Sequence, residues 1–315
     1  MLFRCVQFSA LFLSALAGSA RADFYWLTVT DRRQQAEVVI NGFPLKGFPG
    51  TNTQTLSTLL EPYVIAGDNL LLIRSTDNDT NRVLNDFNLI ETRIDYGSNT
   101  VSSRWLTCDL TRESLLVDSN LVERISFLTT NREYQIRGRL NTNSTRLEVN
   151  SANDVATYRF LPAAGTNLIQ LTVTLPLARL SSLPWTGATP ALTDADRTQI
   201  TALVRSMHEA LTTTNYTTFF QITEAKNQRL AQAAGQTLAE RQAEAQAFLD
   251  GIRGQSGFEF QPLNTTAFVF ETYPDVNLVQ VLVNGGGPIE ATATAFNFKI
   301  AVFVSKLGGV WGVVD

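Results

Sequence analysis

The sequence predicts a β-rich chain of two domains, an all-β sandwich followed by an α+β domain of helices packed on an antiparallel sheet. Three observations predict it. From Asp23 to Leu175, short runs of alternating apolar and polar residues are separated by clusters of Asn, Asp, Gly and Thr, the pattern of many short strands. Between 176 and 192, Pro176, Pro184, Gly187 and Pro190 crowd together with Ser181 and Ser182, a composition suited to a linker. From Thr193 a helical period takes over, and strand patterns return after Gly257, an order that suits α+β architecture. The expected division is a leader at 1–22, a β-sandwich domain at 23–175, a Pro-rich linker at 176–192 and an α+β domain at 193–315.

Taken in order, the chain opens with Arg4, an apolar run from Val6 to Ala17, and the small residues Gly18, Ser19, Ala20 and Ala22. These are the charged, apolar and cleavage regions of a secretory signal peptide. Cleavage after Ala22 makes Asp23 the mature N-terminus, and the apolar run is too short to span a bilayer core of about 30 Å. Export to the periplasm or the medium of a bacterium is therefore expected, with no transmembrane segment after cleavage and no lipid anchor.

The sandwich strands are expected at Phe24 to Thr30, Ala36 to Ile40, Asn69 to Ser75, Phe87 to Ile94, Val101 to Leu106, Leu121 to Leu128, Tyr134 to Leu140, Arg146 to Asn150, Val155 to Leu161 and Leu168 to Leu175. Asn41-Gly42 favours a tight turn, and Gly67-Asp68-Asn69 reverses the chain before an apolar strand. Trp185 follows Pro184 in the linker. A wholly exposed tether has no reason to carry so large an apolar surface, so Trp185 is expected to contact the other domain or a partner.

In the second domain, Thr193 to Asp196 resembles a capping-box opening, and Ile200, Leu203, Val204, Met207 and Leu211 recur at helical spacing. Asn215 to Ile222 suits a short second helix. Asn227 to Ile252 is rich in helix formers apart from Gly235. Strands are expected at Phe258 to Leu263, Thr266 to Tyr273, Val276 to Asn284, Ile289 to Ser305 and Val310 to Val314, with Gly308-Gly309 as a hairpin turn and Gly285-Gly286-Gly287-Pro288 as a flexible hairpin tip.

Two resemblances follow from these residues. The order of three helices and then strands, ending in Phe303-Val304-Ser305-Lys306-Leu307-Gly308-Gly309-Val310-Trp311, resembles the nuclear-transport-factor-two-like superfamily over residues 193 to 315. That resemblance implies a cone, a curved sheet wrapped around helices with a pocket between them, in a superfamily holding both enzymes and non-catalytic binding modules. Val38 to Leu45, followed by Leu59 to Ile73, resembles the galactose-binding-type jelly roll. It implies a jelly-roll-like sandwich and carries over no sugar-binding residue.

Functional chemistry is sparse. Without Arg4 and Arg21 of the leader, 23 basic residues face 29 acidic ones, a net charge of −6. That balance disfavours a nucleic-acid surface, which needs clustered Lys and Arg. One His and one mature Cys, Cys108, exclude the usual zinc sets. Asp77 to Asn81 lacks the turn glycine and terminal Glu of an EF-hand loop, and no Gly-x-Ser-x-Gly elbow occurs. No metal and no cofactor are therefore expected.

The leading expectation is a non-catalytic periplasmic protein that binds a protein, a small molecule or a glycan, such as an immunity-type or envelope accessory protein. One alternative is an isomerase, dehydratase or hydrolase using the cone, with His208, Glu209, Tyr216 and Glu224 as acid or base candidates. Another is carbohydrate recognition through the sandwich.

Overall fold

The computed structural model describes residues 24–32, 35–49, 53–76, 89–96, 99–107, 124–128, 133–137, 155–161 and 166–315. The leader, Asp77 to Asn81, Cys108 and the strand expected at Arg146 to Asn150 lie outside the described residues. The chain divides into two compact units, with the division between Ala178 and Arg179. Antiparallel sheets and four helices make up the described residues, a mixed, β-rich fold. No described helix is long and apolar enough to cross a membrane.

The N-terminal unit contains β1 (Tyr25–Arg32), β2 (Gln35–Ile40), β3 (Phe43–Pro49), β4 (Thr53–Leu59), β5 (Gly67–Thr76), β6 (Leu89–Tyr96), β7 (Asn99–Thr107), β8 (Arg124–Leu128), β9 (Glu133–Arg137), β10 (Val155–Leu161) and β11 (Thr166–Leu175). One sheet runs β4-β1-β6-β7 and the other β3-β2-β5-β11-β10-β9-β8. In β1, Tyr25, Leu27 and Val29 are buried while Trp26, Thr28 and Thr30 are half-buried, the period of two that one covered face imposes.

Strands β3 and β4 carry no strand expectation in the sequence, and for β3 the reason is compositional. It contains Pro44, Gly47 and Pro49, which deplete ladder donors and packing surface. Its place at the edge of the seven-stranded sheet is where proline is tolerated. A 3-10 turn at Glu61–Tyr63 then buries Glu61, whose carboxylate accepts from the Tyr25 backbone N–H at 3.0 Å.

The C-terminal unit begins with a strap. Residues 179 to 192, expected as a linker, are bonded along much of their length to this unit. The Arg179 guanidinium donates to the Ala233 carbonyl at 3.0 Å, and the Ser305 hydroxyl donates to the Pro184 carbonyl at 2.9 Å. Asn277 N–H donates to the Trp185 carbonyl at 2.9 Å, and Thr186 bridges Val276. Pro-rich composition fixes an extended backbone, and here that backbone is docked.

Helix α1 (Asp194–Thr212) opens with the expected capping box between Thr193 and Asp196. Helix α2 (Tyr216–Ile222) is capped by Asn215. The single long helix expected from Asn227 to Ile252 is two, α3 (Glu224–Ala234) and α4 (Leu238–Arg253). Gly235 adopts φ +70° and closes α3 as a left-handed cap, and Thr237 opens α4 with a second capping box to Glu240. Helix-forming composition on both sides concealed a stop and a start.

The strands are β12 (Glu259–Phe260), β13 (Val269–Thr272), β14 (Val279–Leu282), β15 (Ile289–Ala293), β16 (Phe296–Ile300), β17 (Val302–Leu307) and β18 (Val310–Val313). The run expected as one strand from Ile289 to Ser305 is three. Strand β16 belongs to a sheet β12-β15-β16, and β17 belongs to β13-β14-β17-β18. Alternation stops at Ala301 because Val302, Phe303, Val304 and Ser305 are all buried. One face of β17 joins the α1 core through Val302 and Val304, while Ser305 meets the strap.

Candidate functional site

Two of the predicted acid–base residues, His208 and Tyr216, lie in one neighbourhood of the C-terminal unit. It is built from α1, α2, the end of α4 and β12. His208 is half-buried, next to Met207 of the apolar stripe. Its Nε2 lies 2.9 Å from the Gln261 carbonyl oxygen. A carbonyl only accepts, so Nε2 carries the hydrogen, and a neutral ring leaves only Nδ1 to act as a base. The Gln261 segment is held in turn by its own N–H to the Glu290 carbonyl at 2.9 Å and its side-chain amide to Thr292 at 2.9 Å. His208 thus staples α1 to the β12-β15 edge. Among the described residues no carboxylate bonds its ring.

Across from it, the Tyr216 hydroxyl donates to the Asp250 carboxylate through a short hydrogen bond. Burial pushes the Tyr216 phenol above its ordinary range and the Asp250 bond adds to this, while the Arg253 charge pulls the other way. Phe260 connects the two sides, its ring edge-on to His208 at 6.3 Å and under the Arg253 guanidinium at 5.2 Å. Phe258 meets Phe260 at 5.1 Å and Phe298 at 6.4 Å, and Phe298 meets Phe296 at 5.6 Å, an aromatic ladder over one end of the three-stranded sheet.

Arg253 has a further property. Its Nε and Nη2 are sealed from solvent and meet no hydrogen-bond acceptor among the described residues. Buried donors left in this state cost about 1–3 kcal/mol each.

The other predicted residues lie elsewhere. Glu209 is exposed, and its backbone carbonyl accepts from the Thr212 and Thr213 hydroxyls. Glu224 is exposed in the first turn of α3 and accepts from Gln228 at 2.9 Å. Among the described residues no hydrogen bond or ion pair joins Glu209 or Glu224 to His208 or Tyr216. Trp185 is fully buried, and Asn277 N–H donates to its carbonyl. The Arg229 guanidinium stacks 5.1 Å from its ring.

That guanidinium belongs to a second, ionic cluster. Arg229 Nη2 donates to the Asp315 carboxylate at 2.7 Å and to the Val314 carbonyl at 2.9 Å. Arg241 donates to Glu244 at 3.2 Å, and Gln236 donates to the same carboxylate at 2.6 Å. Lys226 is close enough to feel these charges. Burial pushes its ammonium down in pKa, Asp315 opposes the shift, and Arg229 and Arg241 reinforce it. Arg229 ties α3 to the residues that follow the final strand.

Between these clusters the interior is filled by Ile200, Val204, Met207, Leu211, Leu249, Val279, Val281, Ile289, Val302, Val304, Trp311 and Val313. Among the described residues no three His, Cys, Asp or Glu side chains come together to hold a metal ion.

Sequence reasoning did not single out Arg253, Asp250 or Phe260. A basic residue in a last helical turn reads as a favourable end charge, and alternating phenylalanines read as core. Only the break in α3 and α4, and the short β12, bring them against His208 and Tyr216.

No protein-family model, curated protein or solved structure matches the chain.

Proposed function

We propose that this chain is a non-catalytic exported binding protein, working in the periplasm or medium of a bacterium. Its N-terminal unit would be a jelly-roll-like sandwich and its C-terminal unit a cone. The observation that carries the non-catalytic reading is the engagement of His208. The only imidazole of the chain gives its Nε2 hydrogen to the Gln261 carbonyl, and no described carboxylate orients its ring. General-base catalysis needs a base held toward a reacting proton, whereas His208 serves to join α1 to a strand segment. The apolar filling of the interior supports the same reading, because an acid–base pocket needs polar groups converging on a substrate. The leader-like composition of residues 1 to 22 supports export.

The test has two arms. Residues 1 to 30 fused to alkaline phosphatase are expected to give activity outside the cytoplasm, with cleavage after Ala22. The purified chain is then offered ester, phosphoester and α-proton-exchange substrates, beside a His208→Gln variant whose amide replaces the Nε2 donor. No turnover above that variant is expected. Turnover that disappears on His208→Gln overturns the non-catalytic reading, and a cytoplasmic fusion overturns export.

A further inference from the structure

We propose that Lys226 takes up carbon dioxide, its side-chain amine forming a carbamate that faces the guanidiniums of Arg229 and Arg241. The proposal is independent of the binding reading above. Its starting point is a contrast among the lysines. Lys299 pairs with Glu290 at 3.5 Å and Lys306 with Asp196 at 2.9 Å, so each is held as a cation by a carboxylate. Lys226 forms no hydrogen bond or ion pair among the described residues, although it lies within a cluster of charges.

The carboxylates of that cluster are engaged by other groups. Asp315 accepts from Arg229 at 2.7 Å. Glu244 accepts from Arg241 at 3.2 Å and from Gln236 at 2.6 Å. The cations are close by. Arg229 follows Lys226 by three residues on α3, a spacing that puts both on one helix face, and Arg241 belongs to α4. Both guanidiniums are buried, where charges are poorly screened. Burial disfavours the Lys226 ammonium first, and the two guanidiniums add to this against the pull of Asp315. A lysine desolvated beside other cations is a nucleophile near neutral pH.

The same surroundings choose the reagent. The amine lone pair attacks the carbon of carbon dioxide, one C–O π pair moves onto oxygen, and the nitrogen gives a proton to water. The product is an anionic carbamate, with no change in oxidation state. Repulsion between Lys226 and the two guanidiniums becomes attraction, and the new oxygens only accept, as Arg hydrogens require. Acylation with a neutral acyl group would remove the repulsion without supplying the attraction. Access needs no pocket, because carbon dioxide is small and uncharged. Lys226 is half-buried, and its Nζ is not one of the partnerless nitrogens sealed from solvent.

The experiment incubates the full chain with bicarbonate labelled with carbon-13, locks any carbamate as its ethyl ester with triethyloxonium, and maps the ester by mass spectrometry of a digest. The ester is expected on Lys226 at no less than fivefold its level on Lys299 and Lys306. The enrichment should vanish when the incubation is carried out in urea, because it depends on the folded cluster. Bicarbonate should also raise the melting temperature of the wild type above that in chloride of equal ionic strength, and should not do so for Lys226→Gln. No ester on Lys226, an equal level on the three lysines, or enrichment that persists in urea overturns the proposal. So does a bicarbonate-dependent rise that survives in Lys226→Gln. Mapping on the wild type decides the matter even where that variant fails to fold.

Discussion

The side-chain amide of Asn41 donates to the side-chain oxygen of Asn69 across 2.8 Å, linking two turns that lie 28 residues apart in sequence. Asn41 adopts φ +48° in its turn, and its own oxygen accepts from the Leu70 N–H at 2.9 Å. Asn69 is buried, and every hydrogen-bonding position it has is used. It accepts from Asn41 and from Ile65 N–H and donates to the Ile65 and Gly67 carbonyls. Replacing it by Ala leaves several buried partners unmatched, and a loss of about 2–3 kcal/mol is expected. Asn69→Asp should be worse at neutral pH, because its carboxylate would face two carbonyls that only accept. Burial and those carbonyls would hold that new carboxyl above its ordinary pKa, so acidification should recover part of the loss. Urea denaturation at pH 7 and at pH 4.5 checks both variants, and equal midpoints for the wild type and Asn69→Ala would sink the idea.

Asp196 joins the start of α1 to the last hairpin. One oxygen accepts from Lys306 at 2.9 Å and from Trp311 Nε1 at 2.8 Å, and the other accepts from the Thr193 hydroxyl and N–H. The Thr193 hydroxyl, then Lys306 and Trp311, hold its carboxyl well below the usual carboxylate range. A depressed folded-state pKa means the unfolded chain takes up the proton first. The contribution is therefore complete above the unfolded value, about pH 4, and is lost as pH falls toward the folded one. Thermal melts from pH 6 to pH 2 should show a steeper decline for the wild type than for Asp196→Asn. Parallel curves would remove Asp196 as a source of acid sensitivity.

The capping box at Thr193 and Asp196 and the turns at Asn41-Gly42 and Gly67 to Asn69 were legible because each is written in adjacent residues. So were most strands of the N-terminal unit, whose sequences alternate apolar and polar residues. Strand β3 was hidden by its prolines, and the split of α3 from α4 by the helix-forming residues around Gly235. Gly287 is a similar case. It reads as part of a flexible tip, yet it is buried so close to the backbone of Ile300 that a Cβ there would strike the carbonyl. That is a long-range relation no local pattern encodes. At the candidate site, His208 and Tyr216 were readable as residue types, but Arg253 and Phe260 acquire meaning only from the fold.

The Arg229–Asp315 pair, with both side chains buried and 2.7 Å apart, yields a third expectation. Arg229→Met should remove the Arg229 hydrogen bond and charge from the Asp315 carboxylate, a change that costs about 3–5 kcal/mol when a buried pair is broken on one side. Combining it with Asp315→Asn should recover part of that loss, because no buried anion is then left behind. A double variant no more stable than Arg229→Met, measured by urea denaturation, would mean that Arg229 acts through packing on Trp185 and not through its charge.

Trp185 provides the last prediction. As a bridge between domains, it could be removed with each domain keeping its own fold and only the connection loosening. Its side chain is fully buried, its carbonyl accepts from Asn277 N–H at 2.9 Å and its ring carries the Arg229 guanidinium. Removing it opens a cavity beneath a buried cation, so Trp185→Ala should destabilise the C-terminal unit by about 3–5 kcal/mol, the range for large aromatic truncations in cores. Trp185→Phe keeps a ring for Arg229 and should lose less. Limited proteolysis separates the two pictures. Docking within the unit predicts faster cleavage throughout residues 179 to 315 in Trp185→Ala, together with a lower unfolding midpoint. Cleavage confined to the stretch between Leu175 and Thr193, with an unchanged midpoint, would instead restore the linker reading.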